Sequence, residues 1–131
     1  MSGKLRMVLD AGALIQVDRK RHSQVLADCR VAARREVRPL IPSVVLAQVW
    51  RDASLQHDLA VLMKMSIVVP FDEETAKDVG DLLAKSGTSD VVDAAVVMLA
   101  MERGATAVTS DPDDIAALAE AADFRSPVVP V

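Results

Sequence analysis

The sequence predicts a three-layer α/β/α sandwich with a mainly parallel sheet. Three observations carry that expectation. Short Val/Leu/Ile runs alternate with longer stretches of helical spacing along the whole chain. Two of those runs end abruptly on a carboxylate, Asp10 and Asp111, just where a helical pattern begins. Finally, aromatic residues make up only 2% of a chain that is 51% hydrophobic, so the core is built from Val, Leu, Ile, Ala and Met, as in buried parallel strands under Ala-rich helices. At 131 residues the chain reads as one domain, 1–131, without repeat, low-complexity tract or linker.

Residues 4–9 read as the first strand and 11–17 as a short helix, followed by a charged corner at 18–22. Ser23 is placed to cap a helix reaching about residue 35, with Val25, Leu26, Cys29 and Ala33 at helical spacing. Arg30, Arg34, Arg35 and Arg38 follow its outer face. Residues 39–42 form a very short strand between prolines, which favours a sheet edge or a strand end. Ser43 is the expected N-cap of a helix over 44–50, and another helix covers 55–65. Residues 66–70 are the third strand, stopped by Pro70.

Asp72, Glu73 and Glu74 load the next first turn with negative charge, as a helix dipole favours, and that helix ends near 85–87. Thr88-Ser89-Asp90 starts an almost wholly apolar helix closed by Arg103-Gly104. Residues 105–110 are the strand running into Asp111, and Pro112 suits a first helical turn. A helix over 115–123 and a last strand at 127–129 complete the chain.

Composition narrows the function. No apolar stretch approaches the ~18 residues that span a bilayer, and there is no signal-peptide pattern. A single cysteine, Cys29, excludes an internal disulfide and fits a reducing cytoplasm. With only His22 and His57 beside that thiol, a metal would have to be held by oxygen. The net charge of −4 and pI near 5.1 exclude a general nucleic-acid coat. Charge is nonetheless polarised: residues 1–60 carry ten Lys/Arg against six Asp/Glu, residues 61–131 five against thirteen. A basic surface for a phosphate backbone and an acidic pocket can coexist on such a molecule, and ordinary solvated helix faces give the same count.

The chemistry-bearing residues are acids. An aspartate at the carboxyl end of a buried parallel strand sits where open α/β sheets hold ligands, and Asp10 and Asp111 both occupy such places. Each could equally be the N-cap of the helix that follows. Asp90 and Asp93 lie one helical turn apart, a spacing that also fits a capping arrangement. Capping does not explain why Asp93 heads an otherwise apolar helix with no Lys or Arg nearby in sequence. Three carboxylates within ~4–6 Å raise one another's pKa unless neutralised. Mg²⁺ or Mn²⁺ is the natural neutraliser, and such a cation supports phosphodiester hydrolysis.

On these residues the sequence resembles the PIN-domain ribonucleases, and among them the small VapC-type toxins of bacterial toxin–antitoxin pairs. The resemblance rests on Val8-Leu9-Asp10-Ala11-Gly12-Ala13-Leu14, Pro42-Ser43-Val44-Val45-Leu46-Ala47-Gln48-Val49, Ser89-Asp90-Val91-Val92-Asp93-Ala94 and Val108-Thr109-Ser110-Asp111-Pro112-Asp113-Asp114, in the family's order. It implies a sandwich of about five parallel strands, Mg²⁺- or Mn²⁺-dependent endoribonuclease activity, a VapB-type antitoxin partner and a homodimer. Matched residue by residue, Asp10, Asp93 and Asp111 are the implied metal-binding catalytic acids, with Asp90 and Asp113 as supporting ligands. Thr109 or Ser110 is the implied orienting hydroxyl. One departure stands out: the family usually has a glutamate on the helix after the second strand, and this chain has Gln48. Glutamine keeps a carbonyl acceptor but not the charge, which implies weaker hold on a cation.

Arg30, Arg34, Arg35 and Arg38 are the candidate RNA-backbone contacts. The residues leave two other readings open beside the nuclease: a catalytically weak PIN-fold module that binds RNA or antitoxin, and a receiver-like phosphoacceptor domain. The receiver reading lacks the late-strand lysine it requires. Trp50 reads as core or a dimer contact, His22 and His57 as surface, and Cys29 as a small buried filler.

Overall fold

The structure, a computed structural model, describes residues 6–20, 22–125 and 128–131. Residues 4 and 5 of the expected first strand, Arg21 of the charged corner and Pro127 at the start of the expected last strand lie outside the described residues. In chain order the elements are β1 (Met7–Leu9), α1 (Ala11–Arg19), α2 (Gln24–Arg34), β2 (Leu40–Pro42), α3 (Ser43–Val49), α4 (His57–Met65), β3 (Ile67–Val69), α5 (Glu73–Ser86), α6 (Val91–Arg103), β4 (Thr106–Thr109), α7 (Pro112–Ala121) and β5 (Val128–Pro130).

The five strands form one sheet in the order β3-β2-β1-β4-β5, parallel throughout. Helices α1 to α4 pack on one another in one layer, and α5, α6 and α7 in the other. This is the expected α/β/α sandwich. Its core is aliphatic as composition demands: Leu9, Leu14, Leu40, Ile41, Leu59, Leu62 and Ile115 are fully buried. Truncating one of these leucines to alanine costs about 2–5 kcal/mol, through lost transfer energy and the cavity left behind.

Local signals explain most boundaries. Asp72 caps α5 by accepting from the Thr75 N–H at 2.9 Å, and Gly87 (φ 68°) and Gly104 (φ 59°) close α5 and α6 in the left-handed conformation. Ser23 accepts from Leu26 N at 3.4 Å to open α2.

One local expectation is corrected and another is narrowed. Ser43 is the first residue of α3 rather than its cap, because its hydroxyl accepts from the Phe71 N–H at 3.0 Å, across the sheet end. For the strand between prolines the strand-end alternative holds and the edge does not: Pro42 ends β2, which lies inside the sheet between β3 and β1. The prolines flank or end its three residues, so the missing N–H groups spare most of the ladder, and full burial of Leu40, Ile41 and Pro42 rewards an interior place.

The strand order also decides between readings. A receiver-like domain has the order 2-1-3-4-5. Here the order is 3-2-1-4-5, and the chain reverses direction across the sheet between β1 and β4. The crevice at the carboxyl ends of those two strands is where doubly wound sheets hold ligands.

Candidate active site

Asp10 follows β1 directly, and Asp111 follows β4 after Ser110, so both acids flank the β1/β4 crevice. The capping role and the site role of Asp10 coexist. One carboxylate oxygen, Oδ1, accepts from the Ala13 N–H at 2.9 Å and caps α1. The other, Oδ2, accepts from the Ser110 N–H at 3.2 Å, tying the ends of β1 and β4 together across 100 residues of chain. The Thr109 hydroxyl also hydrogen-bonds to Asp10 and accepts from the Asp111 N–H at 2.8 Å, so one fully buried side chain connects both acids.

Asp10 is 2% exposed, and burial raises its carboxyl pKa from the ordinary value. The three hydrogen bonds pull the other way, and the charge of Asp111 pushes it up further. Asp111 occupies the cap position of α7 but makes no side-chain capping bond, so its exposed carboxylate is not committed to the helix.

Asp93 is the most strained charge of the group. It is 9% exposed in the first turn of α6, among Ala94, Ala95, Val96 and Val97. Asp90 supplies the N-cap, accepting from the Asp93 N–H at 3.0 Å. Desolvation, then the charges of Asp90, Asp111, Asp10 and Asp114, push the Asp93 carboxyl up to about 7. Five aspartates from three segments, the start of α1, of α6 and of α7, thus share one electrostatic neighbourhood. Among the described residues no basic group lowers either Asp10 or Asp93. Among the described residues the only salt bridge is Lys77–Glu73, on the exposed side of α5.

The sequence reading named Asp113 as a supporting ligand; the structure adds Asp114, which that reading did not name among the ligands. Of the two acids in the first turn of α7, Asp114 is the one whose charge, with that of Asp111 at the cap, acts on Asp93. The signal was available: Asp114 lies three residues beyond Asp111, the spacing of Asp90 and Asp93, and so shares a helix face with it. A groove of about 660 Å³ opens beside this acid group, lined by Lys85, Ser89, Asp90, Asp93 and Asp114 among others.

The remaining candidates fall elsewhere. Gln48 is exposed on α3 and makes no side-chain hydrogen bond. Arg38 is occupied: its guanidinium donates to the carbonyls of Lys64 (2.8 Å), Met65 (3.1 Å) and Ser66 (3.2 Å), neutralising the end of α4. Arg30 and Arg34 are exposed on α2, and Arg35 follows at its end. Trp50 packs against the core, and His22 and His57 are exposed.

Among the described residues, no three Asp, Glu, His or Cys side chains are drawn together tightly enough to form a ready-made metal cage. What the site offers is an all-oxygen donor set whose negative charge exceeds its hydrogen-bond donors, the chemistry of a hard divalent cation site.

Fold and site together define an α/β protein with an acidic pocket at the switch point of a parallel sheet. The chain belongs to the PIN domain family, whose model matches residues 7–121. Among solved structures it is similar to VapBC2 from Rickettsia felis bound to a DNA fragment from their promoter, at 15% identity and a TM-score of 0.69, covering 97% of this chain and 99% of that one. It is also similar to DNA-bound VapBC from Salmonella typhimurium (19% identity, TM-score 0.64, covering 95% and 98%). A third likeness is to FitAB bound to an IR36 DNA fragment (13% identity, TM-score 0.62, covering 93% and 94%). These likenesses establish the fold. No curated protein sequence matches the chain. No helix among the described residues is long and apolar enough to cross a membrane.

Proposed function

We propose that this chain is a Mg²⁺- or Mn²⁺-dependent endoribonuclease of the VapC type, restrained by a VapB-type antitoxin and working in the cytoplasm as a homodimer. The observation that supports it most directly is the burial of Asp93 among apolar residues of α6 beside Asp90, Asp111, Asp10 and Asp114, an environment that pushes its carboxyl up to about 7. Keeping a carboxylate ionised against the core is costly without a compensating partner, and among the described residues no side-chain cation pairs with it.

Asp10, Asp93 and Asp111 would hold the cation, with Asp90 and Asp113 or Asp114 adding charge around it. Bound there, a divalent cation supplies an activated water at neutral pH and stabilises charge developing on a phosphate. The chain's own residues prepare that chemistry. The N–H groups of Ala13 and Ser110 aim the Asp10 carboxylate while leaving lone pairs on both oxygens. Thr109 holds Asp10 and Asp111 in register. The RNA strand would reach the acids along the groove beside Ser89 and Lys85; Arg30, Arg34 and Arg35, on or beside α2 in the other helix layer, would meet its backbone only away from that groove. The similar VapBC and FitAB structures are two-component assemblies on DNA, which supports an antitoxin partner.

A second reading, a weakly catalytic PIN fold retained for binding RNA or antitoxin, is favoured by Gln48, which leaves α3 without a carboxylate at the family's position. Purified protein incubated with RNA and Mn²⁺, beside an Asp10→Asn variant, decides between them. The nuclease reading expects cleavage that the variant loses. Cleavage equal in both proteins, or absent from both, would overturn it.

A further inference from the structure

We infer that Gly12 is a positioning residue of the acidic site: its missing side chain is what allows Ser110 to lie against Asp10. The inference rests on the reading of Asp10 as a cation ligand. Gly12 is the second residue of α1, and its backbone is not left-handed, so no unusual torsion demands glycine there. Glycine is also a poor helix former compared with alanine, so the position needs another explanation.

The explanation is steric. A Cβ on residue 12 would overlap both Oγ and Cβ of Ser110 and would lie 3.3 Å from Asp10 Oδ1. Gly80, equally inside a helix, has nothing within 4 Å of the same hypothetical atom. Ser110 therefore fills the space that a side chain at 12 would occupy. Ser110 is also the residue whose N–H holds Asp10 Oδ2, at 3.2 Å, the long end of an ordinary hydrogen bond. Thr109 and Asp111 sit on the same turn. A methyl group at residue 12 displaces that turn, so it loosens Asp10 and shifts Asp111 without touching either carboxylate's chemistry.

The test compares wild type with Gly12→Ala, the double variants Gly12→Ala/Ser110→Gly and Gly12→Ala/Ser110→Ala, and Gly80→Ala as control. Two quantities are read: hydrogen-exchange protection of the residue-110 amide without metal, and Mn²⁺ affinity by calorimetry. Gly12→Ala is expected to lose the amide protection and to weaken Mn²⁺ binding about 10-fold or more, the usual effect of disturbing a group that orients a ligand. Ser110→Gly should restore both, whereas Ser110→Ala should not, because the Ser110 Cβ itself is in the way. Gly80→Ala should match wild type.

Wild-type protection and affinity in Gly12→Ala overturn the inference, as does failure of Ser110→Gly to restore them. If Gly12→Ala does not fold, recovery of folding by Ser110→Gly supports the clash and failure to recover refutes it. If wild type binds no Mn²⁺, the nuclease reading falls, and the amide measurement alone decides the role of Gly12.

Discussion

The carboxylate of Asp90 accepts the N–H of Asp93 at 3.0 Å, so one acid satisfies the first turn of α6 while the other is left buried with no compensating charge among the described residues. A helix start needs only one such cap. The second acid is therefore a cost that the fold itself does not require, and its consequences can be measured.

The first consequence is a stability that falls as pH rises. The folded-state value of Asp93, about 7, lies above the ordinary carboxylate value, so the folded protein holds that proton more tightly than the unfolded chain does. Stability is then greatest near the unfolded value of ~4, declines as pH rises towards ~7, and carries its full penalty above that. Asp10, also raised, acts in the same direction. Asp52 and Asp72 are lowered by bonds from Ser54 and Thr75, and they titrate below this window. Thermal melting in EDTA should show a lower midpoint at pH ~8 than at pH ~5.5, and Asp93→Asn should flatten that slope. Added Mn²⁺ should raise the midpoint most at the higher pH. A wild-type slope of opposite sign would contradict the assignment.

Asp10→Asn should abolish cation binding and cleavage, by at least about 100-fold, with little loss of fold. Asparagine keeps an oxygen to cap Ala13, so α1 still forms, but the charge and the second acceptor facing Ser110 are gone. Circular dichroism should report an intact protein while calorimetry reports no Mn²⁺ uptake.

Gln48→Glu should strengthen the site. One further carboxylate beside a dication in a solvent-exposed setting is worth about 3- to 10-fold in affinity. Mn²⁺ titration should show that gain, and RNA cleavage should rise with it. No gain would mean that position 48 does not address the pocket.

Cys29 should be inert. It is fully buried on the inner face of α2, and burial pushes its thiol up to about 12, so the thiolate that reacts is scarce at neutral pH. A thiol-specific reagent should label the native protein slowly and the denatured protein at once.

The acids were legible because each is paired with a local signal. Asp10 and Asp111 end apolar strands, and Asp93 interrupts an apolar helix, patterns that chain order alone displays. Asp114 was less visible because its neighbour Asp113 has the same composition, and only the rotation of α7 selects the one whose charge acts on Asp93. Arg38 looked like one more basic residue on a helix face, yet it caps α4 from 26 to 28 residues away in sequence. No local pattern reveals such a partner.

The amino-acid order by itself determined where strands and helices alternate, which residues stop them, and that the core is aliphatic, since those depend on side-chain period, caps and prolines within a few residues. Tertiary structure alone decided that β2 is interior, that β1 and β4 are neighbours, and that Gly12 leaves room for Ser110. Strand order and close approach arise from burying all faces at once, a condition on the whole chain that no short window contains.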